Sequence, residues 1–99
     1  PDLWTALVIE DGGCRAPWCD RGPGWCEAHH IWEWQDGGPT RLDNLAMYCT
    51  RDHHRFHAQG WEIKLLPDRT IEHTAPDGRV YISAHHPGNE QGQAAHMST

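Results

Sequence analysis

Leu3, Trp4, Leu7 and Val8 recur at helical spacing near the head of the chain, which predicts a short first helix capped by Asp2 and stopped by Gly12-Gly13. Over 13–24 the periodicity disappears. Pro17, Gly22, Pro23 and Gly24 break regular structure there, so the stretch reads as a loop that carries Cys14 and Cys19. Trp25 to Trp32 predicts a strand leading into a turn, and 35–40, with its Asp-Gly-Gly-Pro, an irregular loop. Leu45 to Tyr48 predicts a second short strand. From Arg51 to Ala58 a polar run with His at 53, 54 and 57 predicts a helix ended by Gly60. Three further runs, 61–66, 70–74 and 79–83, are separated by Pro67-Asp68 and Pro76-Asp77-Gly78, and together they read as a β-meander. Residues 87–99 have little to bury and read as a disordered tail. The fold class expected is α+β, in one domain over 1–86 with the meander at 61–83.

At 99 residues a single domain leaves about 40% of its unfolded surface wet, so the core is marginal. No run approaches the roughly 20 apolar residues of a membrane span, and no targeting signal is visible, so a cytoplasmic protein without a membrane partner is expected. Nine His, six Trp and four Cys stand out. Four Cys make two disulfides in an oxidising compartment or a metal site in a reducing one, and without a signal peptide the metal site is favoured. Bound zinc would supply the missing core stability. A formal net charge of -6 argues against a protein that coats nucleic acid, since phosphate binding rests on Lys and Arg. It does not exclude chemistry on phosphates, because a bound metal adds local positive charge and Arg41, Arg51 and Arg55 fall in the segment that carries the candidate site.

Two ligand sets emerge. One is thiol-based: Cys14 and Cys19, then Cys26 and Cys49. If 25–31 and 45–49 pair as antiparallel strands, Cys26 and Cys49 fall together where the Cys14–Cys19 loop can reach them, giving a four-thiolate structural zinc site. Asp52, three residues after Cys49, is the alternative fourth ligand, and Cys26 would then be a buried free thiol. The other set is imidazole-based. His53 and His57 share a helix face and can chelate one ion. His29 and His30 are neighbours on a strand and point to opposite faces, so one can bind metal while the other stands beside it with a free nitrogen. Metal-assisted phosphodiester hydrolysis needs that division, a cation against developing charge and a neutral imidazole to take a proton from water. Asn44 can accept the base's other ring N–H or tie the ends of the loop together.

His29-His30-Ile31, Asp36-Gly37-Gly38-Pro39-Thr40, Leu42-Asp43-Asn44-Leu45, Cys49, His53 and His57 resemble, in that order, the HNH endonucleases of the ββα-metal class, over a core of roughly 14–61. Cys14-Arg-Ala-Pro-Trp-Cys19, Trp25-Cys-Glu-Ala-His-His-Ile31 and Gly60-Trp61 are similar to the C-terminal HNH domain of a large actinobacterial family whose N-terminal part has no assigned function. The resemblance implies a ββα-metal core with a structural zinc site. It implies that His29, His53 and His57 bind a catalytic divalent metal (Mg²⁺, Mn²⁺, Ni²⁺ or Zn²⁺), that His30 is the general base, and that Asn44 positions it. It implies a DNA endonuclease of limited sequence preference, working beside other domains of a longer protein. Similar sequences often carry Cys or His where Asp52 stands, which leaves the fourth zinc ligand open between Cys26 and Asp52.

His73, His85, His86 and His96 lack partners at ligand spacing and read as ordinary surface or core residues. Trp4, Trp25, Trp32, Trp34 and Trp61 read as packing anchors, and Trp18, in the tight Cys14–Cys19 loop, is the candidate for substrate contact. Arg51 and Arg55, beside His53, are candidate phosphate ligands. Against the nuclease stands a zinc-stabilised module that binds nucleic acid or protein without chemistry. A secreted disulfide-bonded domain is the third reading.

Overall fold

The computed structural model describes residues 2–85. The expected tail over 87–99, with His86 and His96, lies outside the described residues. The first helix, α1 (Leu3–Asp11), begins where Asp2 accepts a hydrogen bond from the Thr5 amide at 2.7 Å and ends at Gly12. Strands β1 (Cys26–His30) and β2 (Leu45–Cys49) pair antiparallel, with Cys26 opposite Cys49 and His30 opposite Leu45. Helix α2 (Thr50–Gln59) follows β2 directly and closes at Gly60, whose φ of 75° is one that a residue with a Cβ adopts only under strain. Strands β3 (Glu62–Leu65), β4 (Ile71–Thr74) and β5 (Val80–Ser83) form the expected meander in that order. The fold is therefore α+β, two helices on two small antiparallel sheets. Among the described residues no helix is long and apolar enough to cross a membrane.

β2 is the spine. All five of its residues are buried, because its side chains serve two different clusters. Leu45 and Met47 pack with Leu7 of α1, while Ala46, Tyr48 and Cys49 pack with Phe56 of α2 and Ile71 of β4. A strand covered on both faces needs apolar residues throughout, which is what Leu-Ala-Met-Tyr-Cys provides.

A buried ion cluster joins the parts. Asp11, at the end of α1, accepts from Arg15 at 2.9 Å, from Arg69 at 3.0 Å and from the Met47 amide at 3.0 Å. Arg69 sits in the β3–β4 turn with φ 67°, uncommon for a residue with a side chain, and its guanidinium also donates to the Leu42 and Leu45 carbonyls at 2.8 Å each. The cluster was not legible as a contact from the sequence, since each residue lies on a different element. Asp11→Ala leaves two guanidinium groups without their counter-charge, and is expected to destabilise the domain by about 3–5 kcal/mol. Urea unfolding measures it, and a loss below about 1 kcal/mol would mean the cluster is solvated.

His73 of β4 is fully buried. Its Nε2 lies 2.7 Å from the Tyr48 hydroxyl and its Nδ1 3.2 Å from the Tyr81 carbonyl. A carbonyl only accepts, so Nδ1 carries the proton and Tyr48 donates to Nε2. Burial pushes this imidazole down to about 4. The unfolded chain protonates His73 near pH 6.5, so between about 6.5 and 4 the unfolded state binds the extra proton and stability falls as the pH falls. The ring's NMR signals should stay flat from pH 8 down to about 5.5, and a midpoint above 6 would contradict the buried neutral ring.

Candidate metal centre and active site

Among the described residues, two groups offer metal-binding atoms that all lie within 4.8 Å of one another: Cys14, Cys19, Cys49 and Asp52, and His29, His53 and His57. They occupy the two ends of the β1–β2–α2 unit.

The thiol group is built by the junction of β2 and α2. Cys49 caps α2, its Sγ accepting from the Asp52 amide at 3.4 Å, and this first helical turn carries the Asp52 carboxylate to 3.2 Å from the same sulfur. Cys14 lies 3.5 Å from Asp52 Oδ2, and Cys19 Sγ 3.9 Å from Cys49 Sγ. Burial pushes the Asp52 carboxyl up, but hydrogen bonds from Trp18 and from Cys49 and Cys14 outweigh it and hold it below its ordinary value. The same burial pushes the Cys14 and Cys19 thiols up. Three thiols and a carboxylate around one point form a donor set suited to zinc, which takes both sulfur and oxygen ligands.

Cys26 stands apart from that group. It does face Cys49 across the ladder as the pairing required, yet its thiol turns back to the Gly22 carbonyl at 3.3 Å, and burial raises it to about 11. The four-thiolate set is therefore not assembled, and the alternative set with Asp52 is. Among the described residues no cysteine is bonded to another.

At the other end, strand alternation separates the two neighbouring rings. His29 points to α2, with its ring centroid 4.8 Å from His53 and 5.4 Å from His57, and those two are 4.9 Å apart. Burial, with the neighbouring imidazoles adding to it, pushes His29 down to about 3, so it is a neutral ring with an available lone pair. His54 is exposed and outside the group. Three imidazoles around one point suit a first-row divalent ion. A cavity of about 80 Å³ lies alongside, lined by His29, Glu33 and His57 with Ile31 and Trp61.

His30 points the other way, and its Nε2 meets the Thr40 hydroxyl at 2.9 Å. Asn44 does not touch that ring. Its Oδ1 accepts from the Trp32 amide at 2.8 Å, and its Nδ2 donates to the Trp32 and Pro39 carbonyls at 3.0 and 2.9 Å. Of the two roles open to Asn44, the geometry realises the loop tie, and Thr40 takes the place beside His30 that the resemblance gave to Asn44.

Two carboxylates adjoin the imidazoles: Glu27 contacts His53 Nδ1, and Glu33 Oε1 is 3.9 Å from His57 Nδ1. Glu27 had a signal in the sequence, two residues before His29 and so on the same strand face. Glu33 and Thr40 lie on loop backbone, for which spacing carries no such signal.

Arg51 and Arg55 sit about half a turn round α2 from the His face. Arg51 reaches Asp52 at 3.9 Å and Arg55 reaches it at 3.8 Å, with Arg55 also 5.7 Å over the Trp18 ring. Their expected phosphate contacts thus find no support, because they face the thiol group. Trp18 packs edge-on against Phe56, Trp61 and Tyr81 and donates its indole N–H to Asp52 at 3.1 Å, which gives it a structural occupation. Of the expected packing anchors only Trp61 joins a core cluster; Trp4, Trp25, Trp32 and Trp34 are exposed. His85, as expected, is an ordinary residue, bonded to the Glu10 carbonyl at 3.0 Å.

The family described as HNH endonuclease matches residues 14–59. An uncharacterized protein of Mycobacterium tuberculosis is 39% identical over 83 residues, covering 82% of this chain and 14% of that protein. A second from the same organism is 40% identical over 77 residues, covering 76% of this chain and 14% of its own length. A third is 29% identical over 89 residues, covering 82% of the chain and 19% of its own. The chain thus spans less than a fifth of each of these relatives, between 14% and 19%. No solved structure matches it.

Proposed function

Through residues 14–59 the chain belongs to the HNH endonuclease family, and from that premise we propose that it is a nuclease domain that hydrolyses phosphodiester bonds in DNA at one divalent metal site. The observation that carries the reading is the convergence of metal-binding atoms of His29, His53 and His57 within 4.8 Å, with the next ring on β1, His30, outside that group and held by Thr40. His29, His53 and His57 would hold the ion, which when bound supplies positive charge against the phosphate and the leaving oxygen. Glu27 orients the His53 ring. His30 takes the proton of the attacking water. If Thr40 accepts from His30 Nε2–H, the ring is fixed in the tautomer whose Nδ1 lone pair is free to do so. Cys14, Cys19, Cys49 and Asp52 hold a structural zinc, and Asn44 keeps the β1–β2 loop closed.

The domain so defined runs over 1–86, acts in the cytoplasm where thiols stay reduced, and works within a longer protein whose other regions help hold the DNA. Incubation of supercoiled plasmid with the chain and Mg²⁺, Mn²⁺ or Ni²⁺ tests the reading. Nicked or linear product is expected with at least one ion and is lost in His53→Ala. If none of these ions gives cutting in a folded, zinc-loaded chain, the domain is the non-catalytic binding module instead.

A further inference from the structure

Trp18 is 41% exposed, yet its one polar atom is turned inward. The turn that seats it is tight, the Cys19 amide donating to the Ala16 carbonyl at 3.0 Å, so the indole rides between Cys14 and Cys19, two members of the thiol group. Its Nε1–H donates to Asp52 Oδ1 at 3.1 Å. The other carboxylate oxygen, Oδ2, is the one that meets the sulfurs, 3.5 Å from Cys14 and 3.2 Å from Cys49. Arg55 lies over the indole at 5.7 Å, and its Nη1 stands 3.8 Å from the same Oδ1. The two oxygens of one buried side chain therefore have different neighbours, an indole N–H and a guanidinium on one side and thiols on the other.

That division decides how the carboxylate can bind an ion. A carboxylate is able to give a cation one oxygen or both. Beside three thiolates the second oxygen would take a fifth place, whereas structural zinc is four-coordinate and closed. A hydrogen bond to the oxygen that does not ligate fixes the carboxylate's orientation and keeps that oxygen away. Packing does not ask for an indole here. The edge-on contacts of the ring with Phe56, Trp61 and Tyr81, at 5.9, 5.5 and 5.9 Å, would serve a phenylalanine as well, but only the indole carries the N–H. Charge points the same way: three thiolates and a carboxylate leave a divalent ion's site negative, and Arg51, 3.9 Å from both Cys19 Sγ and Asp52 Oδ2, joins Arg55 in balancing it.

Resting on the structural-zinc part of the proposed function, we infer that Trp18 is a positioning residue of the thiol site: its indole N–H holds Asp52 to one ligating oxygen and so keeps the site four-coordinate and closed. The test is the zinc affinity of the full chain, read by competition with a chromophoric chelator, in the parent, Trp18→Phe, Asp52→Cys and the double variant. Trp18→Phe is expected to lose roughly 10–100-fold in affinity where Asp52 is present. In the Asp52→Cys background, which has no second oxygen to hold, the same change should cost less than about three-fold. Cobalt(II) in place of zinc adds a signature that packing does not move. The strong visible absorption of the four-coordinate ion should weaken in Trp18→Phe, where Asp52 is free to give both oxygens. Unchanged zinc affinity in Trp18→Phe, an equal loss in both backgrounds, or a cobalt spectrum identical to the parent's overturns the inference. A parent chain that takes up no zinc, or takes it up equally after Cys14→Ser, overturns the structural-zinc reading itself. Zinc held through these cysteines with an affinity indifferent to Trp18 overturns the positioning role alone.

Discussion

Replacing His30 with alanine is expected to lower metal-dependent cleavage by roughly 10²–10⁴-fold, the usual contribution of a positioned general base, while fold and metal content stay unchanged. The ring is half-buried, belongs to neither group of metal-binding atoms, and contacts the Thr40 hydroxyl. Its removal therefore takes away a proton acceptor and little else. Thr40→Val should reproduce a smaller part of the loss, because the ring then keeps its chemistry and loses its orientation. Cleavage by His30→Ala at the parent rate would rule out the base, and loss of structure in that variant would assign the ring to stability. The kinetic comparison is made at saturating metal, so that any weakening of ion binding does not mimic a chemical effect.

The larger effect on stability is expected at the opposite end of the β1–β2–α2 unit. Structural zinc contributes on the order of 10–16 kcal/mol to folding in small metal-stapled domains, whereas whole domains are stable by only about 5–15 kcal/mol. Losing the ion therefore outweighs the entire margin. Cys14→Ser, or a strong chelator added to the parent, is expected to unfold the chain by circular dichroism with release of zinc. His53→Ala should keep its structure and lose cleavage. The contrast follows from burial: Cys14, Cys49 and Asp52 are buried at the meeting of the first loop, β2 and α2, while His53 and His57 lie on the outer face of α2. Equal loss of structure in Cys14→Ser and His53→Ala would contradict the division into structural and catalytic sites.

Much of the framework was legible in the sequence because local chemistry decides it. Asp2, Gly12 and Gly60 end their helices where capping rules put them. The three runs after Gly60 are separated by short turns, and they pair in sequence order as the meander those turns suggest. Strand alternation parts His29 from His30, and helical spacing joins His53 to His57. What the sequence left open depends on where a side chain turns after its backbone is placed. The ladder puts Cys26 opposite Cys49, but the thiol's rotamer takes it to the Gly22 carbonyl. Asn44 lies near the loop in either reading, and only the backbone path of Trp32 decides which groups it meets. Arg51 and Arg55 were read as neighbours of His53 along the chain, although on a helix they face away from it. The exposed Trp32 and Trp34 contradict the habit of treating tryptophan as a core residue, since a small domain has too little interior to hold six of them.

Anomalous diffraction from crystals of the zinc-loaded chain soaked in Mn²⁺ bears most directly on the shared coordination of His29, His53 and His57. The expected result is a manganese peak within coordination distance of all three rings, distinct from the zinc peak at Cys14, Cys19, Cys49 and Asp52. A map with manganese nowhere near those imidazoles, or bound to only one of them, would contradict it.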